Sequence, residues 1–174
     1  QKVDLSEQQL IDCSRDYGNH GCAGGMIGRG LLYASENALT TEAAYPFSNK
    51  SNACRTDIDA QYKIDGCTRV TPTTAGLTDA LRSQPVSIAM SVDATFAFYR
   101  FGVYNPKRCG HVVNHALLAV GFDLDAKTPF YRGKNSWGKL WGWFGFFKIA
   151  IGKTDAGVCN VAGSGHNYVP VLNE

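Results

Sequence analysis

Val112-Val113-Asn114-His115-Ala116-Leu117-Leu118-Ala119-Val120-Gly121 is an apolar run of strand length holding a single imidazole, and its reading decides the fold. Aliphatic residues on both sides of His115 predict a buried strand. About twenty residues later, Lys134-Asn135-Ser136-Trp137-Gly138 closes a second strand-like run, Phe130 to Lys134. A lone histidine among apolar neighbours is ordinarily a hydrogen-bonded core residue. Asn135 reverses that reading, because a carboxamide can fix an imidazole through one ring nitrogen and leave the other free for proton transfer. Trp137, two residues on, is suited to shield that hydrogen bond from water.

Further strand-like runs cover Val86 to Val92 and Trp143 to Ile151, so the second half of the chain is strand-rich. The first half differs. Ser6-Glu7-Gln8-Gln9 has capping-box spacing, with Leu5 before it and Leu10 and Ile11 behind, and predicts a short helix to about Ser14. Gly24-Gly25 introduces Met26, Ile27, Leu31, Leu32 and Ala34 at helical spacing, ending near Asn37. A loop-rich stretch runs from Leu39 to Asp65. Thr71-Pro72-Thr73 then opens a helix carrying Leu77 and Leu81 that stops by Gln84-Pro85. Helices first and strands afterwards predict an α+β chain in two lobes with a site between them.

The 174 residues carry a formal charge of +2, with 17 basic residues dispersed along the chain. No basic run or aromatic stripe argues for nucleic acid, and no charged tail for a membrane surface. No apolar stretch reaches spanning length. The chain opens on polar Gln1-Lys2-Val3-Asp4 with no recognisable signal segment, as expected of a processed or truncated product. Six cysteines favour disulfides and an oxidising compartment. The sequon Asn49-Lys50-Ser51 is consistent with a secretory route. Cys109, His111 and His115 match no zinc spacing and lack an obvious fourth ligand, so neither metal nor cofactor is expected. His20 and His166 read as surface or structural histidines.

Leu5-Ser6-Glu7-Gln8-Gln9-Leu10, Asp12-Cys13, Gly21-Cys22-Ala23-Gly24-Gly25, the His115 strand and Asn135-Ser136-Trp137-Gly138 occur in an order that resembles, nearly end to end, the papain-like cysteine peptidases of cathepsin L type. The resemblance implies a papain-like two-lobe fold: a helical lobe without its central helix (residues 1–65), an antiparallel β-barrel-like lobe carrying the histidine and asparagine (66–163) and a C-terminal return segment (164–174). It implies peptide-bond hydrolysis through a thioester, with His115 and Asn135 catalytic and Trp137 supporting. In such chemistry the imidazole holds a thiolate as an ion pair and later protonates the leaving amine. The family's nucleophile lies in a Gln-x5-Cys-x-x-Cys-Trp segment opening a long helix, and no Cys-Trp pair occurs in these residues. The expectation is a fragment inactive by itself. Burial of that helix is worth about 25 cal/mol per Å² of apolar surface, so these residues alone are not expected to fold as a monomer. A companion polypeptide or covering partner is expected, acting with this chain on a peptide or protein substrate. The alternative is a catalytically silent papain-fold subunit of a larger assembly.

The resemblance also implies bridges Cys13–Cys54 and Cys109–Cys159 and a lysosomal, vacuolar or secreted location. The family partner of Cys22 lies in the nucleophile segment, and Cys67 has no counterpart. A Cys22–Cys67 bridge, two free thiols and a link to another chain all stay open. Gly24 and Gly25 match backbone that pairs with the substrate main chain, although a turn before a helix explains them equally well. Met26, Ile27, Ala89, Val113 and Ala116, with Asn114 beside them, match substrate-binding positions. They imply an apolar pocket for Leu, Val or Phe at P2, floored by Ser164 or Gly165, with no acidic residue. Core packing accounts as well for Ala89, Val113 and Ala116. Trp143-Phe144 stands where the family has a polar pair, and reads either as a contact surface or as local repacking.

Overall fold

The computed structural model describes residues 3–110 and 112–172, so Gln1, Lys2, His111, Asn173 and Glu174 lie outside the described residues. The chain divides into two compact units, one reaching to Thr68 and resuming at Pro170, the other Arg69–Val169. Among the described residues no helix is long and apolar enough to cross a membrane.

The first unit has a polar interior. Helix α1 (Glu7–Cys13) starts where Ser6 Oγ accepts the Gln9 N–H at 3.0 Å. The reciprocal half of the capping box is not made. The Gln9 amide instead donates to Tyr33 Oη at 3.2 Å and the Ala38 carbonyl at 2.9 Å, and accepts the Thr40 N–H at 2.8 Å. A buried amide must fill all its bonds, and here it fills them by tying α1 to the segment after α2 (Ile27–Glu36). The apolar cluster of this unit centres on Tyr33, Ala34 and Leu39. Around it Ser6, Gln8, Gln9, Asp12, Ser14 and Thr40 are buried. Asp12 receives the Gln8 amide at 2.9 Å, the Tyr45 hydroxyl at 2.8 Å and the Asn52 N–H at 2.7 Å. Burial pushes its pKa up, but these donors together outweigh that and hold the carboxyl below its ordinary range. The Cys13–Cys54 disulfide pins the same loop to α1.

The remaining elements are β1 (Gly66–Arg69), α3 (Thr74–Ser83), β2 (Val86–Met90), α4 (Ala94–Ala97), β3 (Val103–Tyr104), β4 (His115–Asp123), β5 (Phe130–Lys134), β6 (Phe146–Ala150) and β7 (Tyr168–Val171). They make a seven-stranded sheet in the order β1-β7-β2-β4-β5-β6-β3, the unit boundary falling within β1 and β7. The expected barrel-like lobe is an open sheet. Its edges β1 and β3 do not meet, and β3 runs parallel to β6, whereas β7–β2, β2–β4, β4–β5 and β5–β6 are antiparallel. Closure would need a long staggered pairing, and two-residue β3 cannot supply it.

Period-two alternation puts Val86, Ile88, Met90, Leu117, Ala119, Tyr131, Phe147 and Ile149 into one core with Leu77 of α3. Gly133 faces Phe147 across β5 and β6, and a Cβ at Gly133 would collide with that ring. Three strands differ from the sequence expectation at an end: β2 stops at Met90 and does not reach Val92, and β4 and β6 start late. β4 begins at His115, not Val112, because Asn114 clamps the preceding chain to Val92. β6 begins at Phe146, not Trp143, because Phe144 (φ +53) and Gly145 (φ +87) are left-handed and turn the chain. Helix α4, which the sequence did not announce, is capped by Asp93 and delivers Phe96 to the core centre.

Candidate active site

His115 is the first residue of β4, opposite Met90 of β2. Asn135 follows β5 directly, its N–H donating to the Gly145 carbonyl at 2.9 Å. Because β4 and β5 are adjacent and antiparallel, the start of one lies beside the end of the other. His115 Nε2 consequently lies 3.0 Å from Asn135 Oδ1. The Ser136 N–H donates to the same oxygen at 2.8 Å. An atom receiving a backbone N–H is the carbonyl end of the amide, so the ring donates through Nε2–H and a neutral imidazole carries its lone pair on Nδ1. Among the described residues no hydrogen bond reaches Nδ1. Asn135 is 6% exposed, and its buried Nδ2 has no partner among the described residues. The amide thus satisfies its oxygen twice at the expense of its nitrogen, which holds the ring in one tautomer.

The indole of Trp137 lies over the imidazole, ring centroids 4.8 Å apart. It is 41% exposed on its outer side and backed by Trp141 at 5.2 Å and Phe96 at 5.9 Å. Trp141 is fixed by its Nε1–H to the Ala97 carbonyl at 3.0 Å. Phe96 also meets Tyr99, Tyr104 and Phe147, so one fully buried ring supports the whole aromatic shelf. Sequence reasoning assigned neither Phe96 nor Trp141 a part in the site. Nothing in the sequence marks either: Trp141 lies in a turn-rich segment without helical or strand period, and Phe96 in the short run Ala94-Thr95-Phe96-Ala97.

Asn114 spends both ends of its amide on Val92, accepting its N–H at 2.8 Å and donating to its carbonyl at 2.9 Å. This fixes the backbone entering His115. Ala89 and Ala116 face each other across β2 and β4, on the sheet face opposite His115. Ala116 is exposed, and the Ala89 N–H is held by Asn167 Oδ1 at 3.0 Å. Val113 is half-buried. Ser164 Oγ also donates to Asn167 Oδ1, at 3.0 Å.

In the first unit Gly24 (φ +115) and Gly25 form an exposed backbone stretch. A Cβ on Gly25 would strike Asn19 Oδ1, which accepts the Met26 N–H at 2.9 Å. Among the described residues no hydrogen bond uses the Gly25 N–H or carbonyl. Met26 is exposed, and Ile27 is half-buried at the start of α2.

Cys109 is bonded to Cys159, and Cys13 to Cys54. Cys22, exposed, and Cys67, half-buried, are both free, so no Cys22–Cys67 bridge forms. Trp143 and Phe144 are 56% and 72% exposed. His111 lies outside the described residues, among which no three His, Cys, Asp or Glu side chains gather as a metal site would require.

The chain matches the family described as "Papain family cysteine protease" over residues 1–168. It is 39% identical over 166 residues to "Pro-cathepsin H" of Medicago truncatula, covering 90% of this chain and 47% of that protein. It is 38% identical over 170 residues to "Thiol protease aleurain" of Arabidopsis thaliana, covering 92% of this chain and 47% of that protein. Among solved structures, that of the bromelain protease from Ananas comosus in complex with the E64 inhibitor is similar with a TM-score of 0.90 at 31% identity, over 98% of this chain and 79% of that one. The chain spans about half the length of the curated relatives it matches. A family match through nearly every residue, joined to a fold shared at that TM-score, makes the chain a member of the papain family of cysteine proteases.

Proposed function

We propose that this chain supplies the histidine–asparagine half of a cysteine peptidase site, completed by a thiol from outside these 174 residues. The observation that carries the reading is the 3.0 Å contact of His115 Nε2 with an Asn135 oxygen whose orientation a second donor, Ser136 N–H, fixes. Nδ1 is thereby left as the basic nitrogen that takes the thiol proton. The thiolate attacks the scissile carbonyl, the imidazolium protonates the departing amine, and a thioester remains. His115 then draws a proton from water as it attacks the thioester, releasing the acid and regenerating the thiol. The bond to Asn135 keeps the ring oriented at both steps and is charge-assisted while the ring carries the proton.

In this reading Gly24 and Gly25 pair with the substrate main chain, which the uncommitted Gly25 N–H and carbonyl support. Met26 and Ile27 in the first unit, and Ala89, Val113 and Ala116 in the second, are apolar substrate-binding positions, and the substrate is a peptide or protein. By themselves the 174 residues are inactive and do not fold as a monomer. Two features of the first unit support this. Its apolar cluster is small, and α2 fully buries only Tyr33 and Ala34 while Met26 and Leu32 remain exposed and Ile27 and Leu31 half-buried. A companion segment covering that face is the simplest remedy. The two disulfides fit an oxidising compartment, and the location proposed is lysosomal, vacuolar or secreted.

The test is hydrolysis of a fluorogenic peptide with Leu or Phe at P2. The 174 residues alone are expected to give none, and the protein that includes the nucleophile to cleave it. Cleavage by the 174 residues alone overturns the reading. A second reading, a silent papain-fold subunit, is favoured by the exposed Trp143-Phe144 pair. It predicts a stable assembly lost on Trp143→Ala and no thiol-dependent hydrolysis in any form.

A further inference from the structure

We propose that Asn49 is an N-glycosylation site, carrying an oligosaccharide on its side-chain amide nitrogen. Asn49-Lys50-Ser51 meets the acceptor pattern, with a residue other than proline in the middle. The first unit presents it as a grafted sugar requires. Asn49 is exposed, its φ of +56 puts it at the tip of a bend, and its side chain makes no hydrogen bond among the described residues. The backbone on either side is anchored. Gln8, fully buried, accepts the Ser48 N–H at 2.8 Å and donates to the Lys50 carbonyl at 2.8 Å. The loop therefore holds Asn49 outward on a fixed base, and a bulky substituent there displaces no packed side chain.

Asn52, three residues on, is the internal contrast. Its Nδ2 donates to Ser48 Oγ at 2.9 Å and Asp12 Oδ2 at 3.3 Å, and its N–H to Asp12 Oδ1 at 2.7 Å. Its amide is spoken for, and that of Asn49 is not. Ser51, the sequon hydroxyl, is exposed and accepts the Cys22 N–H at 2.9 Å. The Cys13–Cys54 disulfide closes over the same loop and forms in the oxidising route along which such sugars are attached.

The donor is an oligosaccharide linked to a lipid diphosphate, acted on by a transferase. A C–N bond forms between the Asn49 amide nitrogen and the anomeric carbon. The anomeric C–O bond breaks, the lipid diphosphate leaves with the electron pair, and the amide gives up one proton to a base of the transferase. No redox partner is involved. The site is independent of the peptidase reading, and failure of either leaves the other standing.

The direct test is a peptide map of the protein isolated from its native source, treated with an amidase that releases N-glycans in heavy-oxygen water. Conversion of Asn49 to aspartate with uptake of one heavy oxygen is expected, with Asn52 unchanged. An Asn49 peptide recovered only unmodified overturns the proposal. In a secreting eukaryotic host, Asn49→Gln and Ser51→Ala should each abolish the glycan-dependent mobility shift, and Ser51→Thr should keep it. Survival of the full shift in Asn49→Gln overturns the assignment to this residue.

Discussion

Replacing Asn135 by alanine removes the acceptor 3.0 Å from His115 Nε2 and also strands the Ser136 N–H, which donates to the same oxygen at 2.8 Å. In the proposed mechanism, the imidazolium formed during turnover loses a charge-assisted bond inside a site shielded by Trp137, a loss of about 1.5–3 kcal/mol. At about 1.36 kcal/mol per decade of rate, kcat/KM falls roughly 10- to 150-fold. The loss should sit mainly in kcat, since the bond strengthens only when the ring is charged. The assay is steady-state hydrolysis of a fluorogenic peptide with Leu at P2, using the protein that includes its nucleophile. A melting curve for each variant separates catalytic from structural loss. Asn135→Asp keeps an acceptor and should lose less. If Asn135→Ala melts normally and loses less than about threefold in kcat/KM, the carboxamide does not steer the ring and the reasoning fails.

Two further outcomes follow from the packing. Phe96→Ala removes the ring beneath Trp137 and Trp141 from a fully buried position and should cost about 3–5 kcal/mol, read by urea denaturation. Asp12→Ala leaves the Tyr45 hydroxyl, the Gln8 amide and the Asn52 N–H without their acceptor, and each orphaned buried donor costs about 1–3 kcal/mol. Asp12 also sets a pH dependence, because its carboxyl titrates lower folded than unfolded. Its stabilisation is complete above the unfolded value of about 3.9 and drains away as pH falls through the lower folded value. Denaturation series between neutral and strongly acidic pH should show that loss in the native protein and a smaller one in Asp12→Asn.

Much of this arrangement was legible in the residues. Strand β5 falls where Phe130 to Lys134 was read, and α2 and α3 within a residue or so of their signals, because strong periodicity and capping residues coincide there. The boundaries that moved did so for tertiary reasons. The Asn114 clamp on Val92 delays β4 to His115, and a left-handed Phe144 delays β6. The short strands β1, β3 and β7 and helix α4 escaped notice, having too few residues to show a period. Gln9 followed its burial and not its local motif, and tied α1 to Tyr33, Ala38 and Thr40. At the site, the His115–Asn135–Trp137 grouping was readable because strand pairing turns order and spacing into proximity. Phe96 was not, since an aromatic residue in a four-residue helix carries no sign of what it will touch.

The most direct measurement is to treat the protein from its native source with a thiol-directed epoxide and map the adduct by peptide mass spectrometry. One adduct is predicted, on a cysteine outside these 174 residues, with labelling slowed strongly in His115→Ala. Contradiction would be either no adduct on folded protein or modification confined to Cys22 or Cys67, the two thiols this chain leaves free.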